Sequence, residues 1–312
     1  MINFFIFLST SQKARILVKS VTHDYGVLQS VTNGRNPKCG KLIVDETNTI
    51  ITRVNEIKIA YKILGTGEPL ILIMGFGGSM NNWDTTLIRA LSSRNTTIIF
   101  DNRGVGLTTT GTKEFSMDQF ANDTVCLLDA LNIKKTNVLG FSMGGMIAQE
   151  LALTYPDKVN KLILYASYCG GNDSIYPSSP EFFDTFSANS GVTSNVLLRS
   201  ASLMFPKKWC AENPDYHHLF DNPSSIISRD TIINQGKAIF YWRGTGDRLN
   251  QIAKPTLIIT GTEDILVPSI NSSIIAERIS NSQLIQIKGS GHGLMYQVPE
   301  KFCNIVSQFL EY

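Results

Sequence analysis

Val138-Leu139-Gly140-Phe141-Ser142-Met143-Gly144-Gly145-Met146-Ile147-Ala148-Gln149-Glu150-Leu151 changes its hydrophobic period in the middle. Up to Phe141 it is a short apolar run of the kind a buried strand makes. From Met143 the apolar positions Met146, Ile147, Leu151 and Tyr155 recur at helical spacing until Pro156 ends them. The join is Gly140-Phe141-Ser142-Met143-Gly144, a G-x-S-x-G. In such a turn the flanking glycines leave room for the backbone to close sharply and lift a serine hydroxyl above a sheet edge. The spacing therefore predicts strand, tight turn and helix, with Ser142 at the exposed corner.

Outward from this corner the same alternation repeats. Leu70 to Met74, Thr97 to Phe100, Asn137 to Leu139, Leu162 to Tyr165, Thr256 to Thr260 and Gln283 to Ile287 are short apolar runs that end in turn or polar residues. Between them lie helical patterns over Trp83 to Leu91, Met117 to Leu131 (with Ser116 as N-cap), Met143 to Tyr155, Ser269 to Ile279 and Pro299 to Leu310. Alternating strands and helices give a parallel sheet covered on both faces, with ligands at the carboxyl ends of the strands. Ahead of these, Thr49 to Val54 and Ile57 to Ile63 alternate as an antiparallel hairpin should.

Two regions depart from the rhythm. Residues 1–45 have no clear period and carry turn clusters such as Asn33-Gly34-Arg35-Asn36-Pro37, so they are expected to stand outside the fold as an appendage. Residues 171–254 offer no convincing strand, but amphipathic stretches at Glu181 to Phe186, Ser194 to Met204, Ser225 to Gly236 and Lys237 to Arg243. This quarter of the chain holds eleven of the 29 aromatic residues and reads as a helical cap inserted between two strands. The core is then 46–170 with 255–312.

Composition narrows the partners. With 43% hydrophobic and 17% charged residues the chain can bury a large core, and a net charge of +2 with interspersed signs offers no basic stripe for nucleic acid. The five cysteines are scattered without C-x-x-C spacing, which argues against a disulfide framework or a zinc knot and for a reducing, cytoplasmic setting. The apolar run Phe4 to Leu8 has no positive flank before it and is too short to span a membrane. After Leu70 to Met74, Gly75-Phe76-Gly77 begins like a dinucleotide fingerprint, but the third glycine would fall at Met80. The expected partner is a small molecule, with no nucleotide cofactor and no metal.

A serine hydroxyl needs a base to become a nucleophile, and the base needs an acid to orient it. His292 lies in Lys288-Gly289-Ser290-Gly291-His292-Gly293 at the end of the last strand run. Asp264 lies in Gly261-Thr262-Glu263-Asp264 at the end of the run before it, with Glu263 as a competing choice. An oxyanion formed at Ser142 would need two backbone N–H donors. Met143 follows the serine, and Phe76 lies in the glycine-rich loop Met74-Gly75-Phe76-Gly77-Gly78-Ser79.

The order Ser142, Asp264, His292, the loop Asp101-Asn102-Arg103-Gly104-Val105-Gly106, Gly140 to Gly145, Gly261 to Pro268 and Gly291 to Glu300 together resemble the α/β-hydrolase superfamily, in its capped small-molecule branch, over Ile50 to Tyr312. The resemblance implies an α/β-hydrolase fold, a mostly parallel eight-stranded sheet flanked by helices with an inserted cap. It implies a serine hydrolase that cleaves a carboxylic ester, thioester or lactone through an acyl-enzyme, with no cofactor. A cofactor-free haloperoxidase or perhydrolase, or a non-turnover ligand receptor of the same fold, are the alternatives. Met74 stands where many members have a histidine, which bears on how the oxyanion loop is supported. Asp101 and Arg103 are expected to be structural. Trp83, Phe183 and Trp242 are candidates for the substrate pocket.

Overall fold

A computed structural model describes residues 2–8, 15–21, 48–177, 202–220 and 227–311. The strands in chain order are β1 (Ile2–Leu8), β2 (Arg15–Val21), β3 (Ile50–Val54), β4 (Ile57–Leu64), β5 (Glu68–Ile73), β6 (Asn95–Phe100), β7 (Thr136–Phe141), β8 (Val159–Tyr165), β9 (Thr256–Gly261) and β10 (Ser282–Ile287). The α-helices are α1 (Thr85–Ser92), α2 (Met117–Ala130), α3 (Met143–Thr154), α4 (Lys207–Glu212), α5 (Arg229–Phe240), α6 (Ile270–Arg278), α7 (Leu294–Gln297) and α8 (Pro299–Glu311).

Every apolar run of the core became a strand. They form one sheet in the order β2-β1-β10-β9-β8-β7-β5-β6-β4-β3. Pairs β5–β6, β5–β7, β7–β8, β8–β9 and β9–β10 are parallel, while β4 joins β3 and β6 antiparallel. β3 to β10 make the expected mostly parallel eight-stranded sheet, and β1 and β2 extend it to ten. Residues 1–45 were expected outside the fold; β1 and β2, which lie within that stretch, instead pair with each other, and β1 pairs with β10. The run Phe4 to Leu8 of β1 is apolar throughout rather than alternating, so its period gave no sign of an antiparallel hairpin.

Period-two geometry gives the central strands two buried faces. Ile71 and Ile73 of β5 and Val138 of β7 join a cluster with Phe120, Leu127, Met146 and Ile147 of α2 and α3. Leu70 and Leu72 of β5 and Leu139 and Phe141 of β7 join a second cluster with Leu87, Leu91, Phe302 and Val306 of α1 and α8. The helices start where the sequence signals a cap. Ser116 accepts from the Gln119 N–H at 3.1 Å, and Asp84 from the Leu87 N–H at 2.9 Å.

Between β8 and β9 the described residues contain helices and one isolated bridge, Val105 with Ile227, but no strand. The two stretches expected at Ser225 to Gly236 and Lys237 to Arg243 form a single helix, α5, that runs through their division. Those expected at Glu181 to Phe186 and Ser194 to Met204 lie wholly or mostly outside the described residues. Among the described residues no helix is long and apolar enough to cross a membrane.

Candidate active site

Ser142 sits between the last residue of β7 and the first of α3 with φ 55° and ψ −118°. This is a backbone region that residues with a Cβ rarely adopt and that costs energy to hold. The surrounding glycines make room for it. A Cβ on Gly144 would lie 2.0 Å from the Ile73 carbonyl oxygen at the end of β5, and one on Gly140 would lie 2.3 Å from the Gly144 carbonyl oxygen. The first turn of α3 therefore packs directly on the ends of two strands. The Ser142 N–H donates to the Tyr165 carbonyl of β8 at 2.9 Å.

His292 and Asp264, the candidate base and acid of the sequence, are in contact. His292 Nδ1 and Asp264 Oδ2 are 2.7 Å apart, in residues 4% and 5% exposed. The other carboxylate oxygen, Oδ1, accepts from the backbone N–H groups of Leu266 and Val267 at 2.9 and 2.8 Å. Opposite a carboxylate, which only accepts, Nδ1 is the donor of the pair, and in the neutral imidazole this leaves the lone pair on Nε2. Glu263, the competing acid, is exposed to solvent. The His292 ring lies 5.0 Å, centroid to centroid, from that of Phe141, the residue before the serine.

Below this pair is a residue that sequence reasoning missed. Tyr165, fully buried at the end of β8, donates its hydroxyl to the His292 carbonyl at 2.5 Å and accepts from the Met295 N–H at 3.2 Å. Burial pushes its phenol well above the usual tyrosine range, so it remains a donor. The only trace of this in the sequence is a tyrosine at the end of an otherwise apolar strand, where a polar tip needs a partner. The insertion holds the same loop from outside. The Gly293 N–H donates to the Met204 carbonyl at 2.8 Å, and a Cβ on Gly293 would lie 2.5 Å from the ring of Phe205.

The loop after β5 lies against the serine, since a Cβ on Gly75 would come within 3.1 Å of the Ser142 Cβ. Its support, which the absence of a histidine at Met74 left open, comes from the Asp101–Gly106 loop. Asn102 Nδ2 donates to the Met74 carbonyl at 3.0 Å, and the Asp101 carboxylate accepts from the Met80 N–H at 2.7 Å. Burial pushes the Asp101 carboxyl up to about 6. From the other side, Gln235 of α5 accepts the Gly77 N–H through Oε1 at 2.9 Å. Met143 is the first residue of α3, so its N–H is outside the helical ladder.

The remaining sequence candidates are distributed differently. Arg103 is buried and holds Asp123 through Nε and Nη2 at 2.8 and 2.7 Å, with Nη1 on Glu56 at 2.6 Å and on the Thr110 carbonyl at 2.9 Å. This is a structural clamp among β3–β4, the Asp101 loop and α2. Trp83, 3% exposed, packs near Phe141 with centroids 6.3 Å apart. Trp242 gives its indole N–H to Glu150 Oε1 at 2.7 Å, two turns along α3 from the serine, where Arg248 also binds Glu150. Phe183 lies outside the described residues. No group of three or more His, Cys, Asp or Glu able to hold a metal occurs among the described residues.

The family model for the alpha/beta hydrolase fold matches residues 68–299. The chain is 28% identical over 253 residues to the "Putative carbamate hydrolase RutD" of Azorhizobium caulinodans, covering 80% of this chain and 93% of that one. It is 26% identical over 256 residues to the "Putative non-heme bromoperoxidase BpoC" of Mycobacterium tuberculosis, covering 78% and 94%. In fold it matches the enol-lactonase of Burkholderia xenovorans LB400 with a TM-score of 0.73, at 20% identity, over 84% of this chain and all of that one. Sheet, elbow and comparisons agree, and the chain belongs to the alpha/beta hydrolase fold family, whose named relatives include hydrolases.

Proposed function

We propose that the protein is a serine hydrolase that cleaves a carboxylic ester, thioester or lactone of a small, largely apolar molecule through an acyl-enzyme. The observation that carries this reading is the buried His292–Asp264 pair, whose imidazole lies 5.0 Å from the ring of Phe141, the residue next to Ser142, which is held at φ 55°. Ser142 Oγ attacks the carbonyl carbon as His292 Nε2 takes its proton, and the oxyanion is held by the N–H groups of Met143 and Phe76. His292 then passes the proton to the leaving oxygen or sulfur. Water, deprotonated by the same nitrogen, releases the acid and restores Ser142. Asp264 holds the Nδ1–H tautomer and balances the imidazolium charge in both half-reactions.

Residues 171–254 serve as the cap of this site. Phe205 on Gly293, Gln235 on Gly77, and Thr231, whose hydroxyl donates to the Gly104 carbonyl at 3.0 Å, touch three of the loops at the carboxyl ends of the strands. A fluorophosphonate probe tests the assignment. Label on Ser142, together with its loss and the loss of p-nitrophenyl ester turnover in Ser142→Ala, supports it; turnover that survives in Ser142→Ala overturns it. Similarity to the bromoperoxidase raises a second reading, in which peroxide replaces water as the acyl acceptor. Turnover measured with and without peroxide separates the two, and multiple turnover of any ester excludes a receptor that only binds.

A further inference from the structure

Gln235 is 0% exposed, and only one end of its amide is engaged. The Gly77 N–H can be matched only by an acceptor, so the atom 2.9 Å from it is the amide oxygen, and the NH2 group occupies the other position. That Nε2 has no hydrogen-bond partner among the described residues. A buried donor left unmatched costs free energy unless something that binds the site supplies an acceptor. The helix that carries it is anchored on both sides of Gln235. Thr231, one turn earlier on α5, is bonded to Gly104, and Ala238 farther along packs into the core.

We propose that the Gln235 Nε2 is a specificity-determining donor that takes a second oxygen of the substrate, carried on the β or γ carbon of its acyl chain. This rests on the serine hydrolase reading above. Amide geometry puts Nε2 within about 5 Å of the Gly77 nitrogen. Gly77 follows Phe76, whose N–H holds the acyl oxygen in that reading. An acceptor that reaches Nε2 is therefore a few bonds from the scissile carbonyl. Acyl groups with an ether, hydroxyl or keto oxygen at the β or γ carbon meet this; plain alkanoyl groups offer the donor no acceptor.

The experiment compares p-nitrophenyl 3-methoxypropanoate and 4-oxopentanoate with p-nitrophenyl pentanoate, which has the same chain length and leaving group. In the wild-type protein kcat/KM should favour the oxygenated esters about tenfold beyond their relative rates with hydroxide alone. Gln235→Glu keeps an acceptor for the Gly77 N–H and removes the donor once its carboxyl is ionised, so the preference should fall towards the hydroxide ratio or below as pH is raised. Gln235→Met, which removes both, should lose it as well. A wild-type ratio equal to that with hydroxide overturns the proposal even where the variants do not fold, and so does a preference retained in Gln235→Met. Fluorophosphonate labelling of wild-type Ser142 is the control. Without label the serine reading fails; with label and no preference, the assignment of Gln235 alone fails.

Discussion

The strain at Ser142 can be measured as stability. At φ 55° and ψ −118° a residue with a Cβ is held in a region that costs about 1–3 kcal/mol. Glycine adopts positive φ freely but loses about 0.5–1 kcal/mol more backbone entropy on folding than alanine. Ser142→Ala and Ser142→Gly both lack the hydroxyl, so the difference between them isolates the Cβ in that conformation. The expected outcome is that Ser142→Gly is more stable than Ser142→Ala by about 1 kcal/mol, and that both are inactive towards esters. Urea unfolding followed by circular dichroism gives the two midpoints, with equal slopes showing that the same surface unfolds. A glycine variant no more stable than the alanine variant would refute the reasoning, because the turn would then hold a side chain without strain.

Three further outcomes follow from particular contacts. Tyr165→Phe leaves the His292 carbonyl and the Met295 N–H buried and unmatched, so it should lose about 2–3 kcal/mol of stability as well as ester turnover; a loss below about 0.5 kcal/mol would show that the hydroxyl is not needed. Asp264→Asn should lower kcat by several orders of magnitude, while Glu263→Gln, at an exposed position, should leave it within a few-fold; steady-state kinetics with the reverse ranking would move the acid to Glu263. The third concerns Asp101, whose carboxyl is raised by burial from 3.8 to about 6. The native state thus binds this proton more tightly than the unfolded chain, and stability from this group falls as pH rises from near 4 through about 6, by about 3 kcal/mol in all. Glu56, lowered to about 2 by the Thr112 hydroxyl and then Arg103, acts in the opposite sense, its contribution being present above 4.5 and lost as pH falls towards about 2. Asp101→Asn should therefore flatten the decline between pH 4.5 and 6.5 in thermal melts, and an unchanged slope would remove Asp101 as its cause.

The sheet and the Ser142 corner were legible because both are local. A strand run, two glycines and a helical period suffice, and a histidine among glycines at the end of the next suitable strand completes the pattern. The choice between Glu263 and Asp264 was not legible. Neighbours in sequence face opposite ways there, and only the fold shows that Asp264 is buried on the histidine while Glu263 is exposed. Asn102, Tyr165 and Gln235 were missed for a similar reason, since each acts on backbone far away in sequence, Gln235 across 158 positions. The aromatic richness of residues 171–254 suggested a pocket lining, yet Trp242 spends its one polar atom on Glu150 and Phe205 packs on the histidine loop. Composition cannot distinguish a ring that meets substrate from one that fastens two segments together.

β8 and β9 are adjacent, parallel strands, yet residues 166–255 intervene between them. Closing a connection of that length costs only about 2–3 kcal/mol more chain entropy than closing one of five residues, because the penalty grows with the logarithm of length. The core offsets that once, through strand pairing and the burial of Leu257 and Ile259, and further lengthening adds almost nothing. The proposed nucleophile, Ser142, lies before this interruption and the proposed acid and base, Asp264 and His292, after it, so the interruption can be rewritten in sequence and size while the three side chains keep their places. The join between β8 and β9 is thus where such a chain can change what it accepts without changing how it reacts.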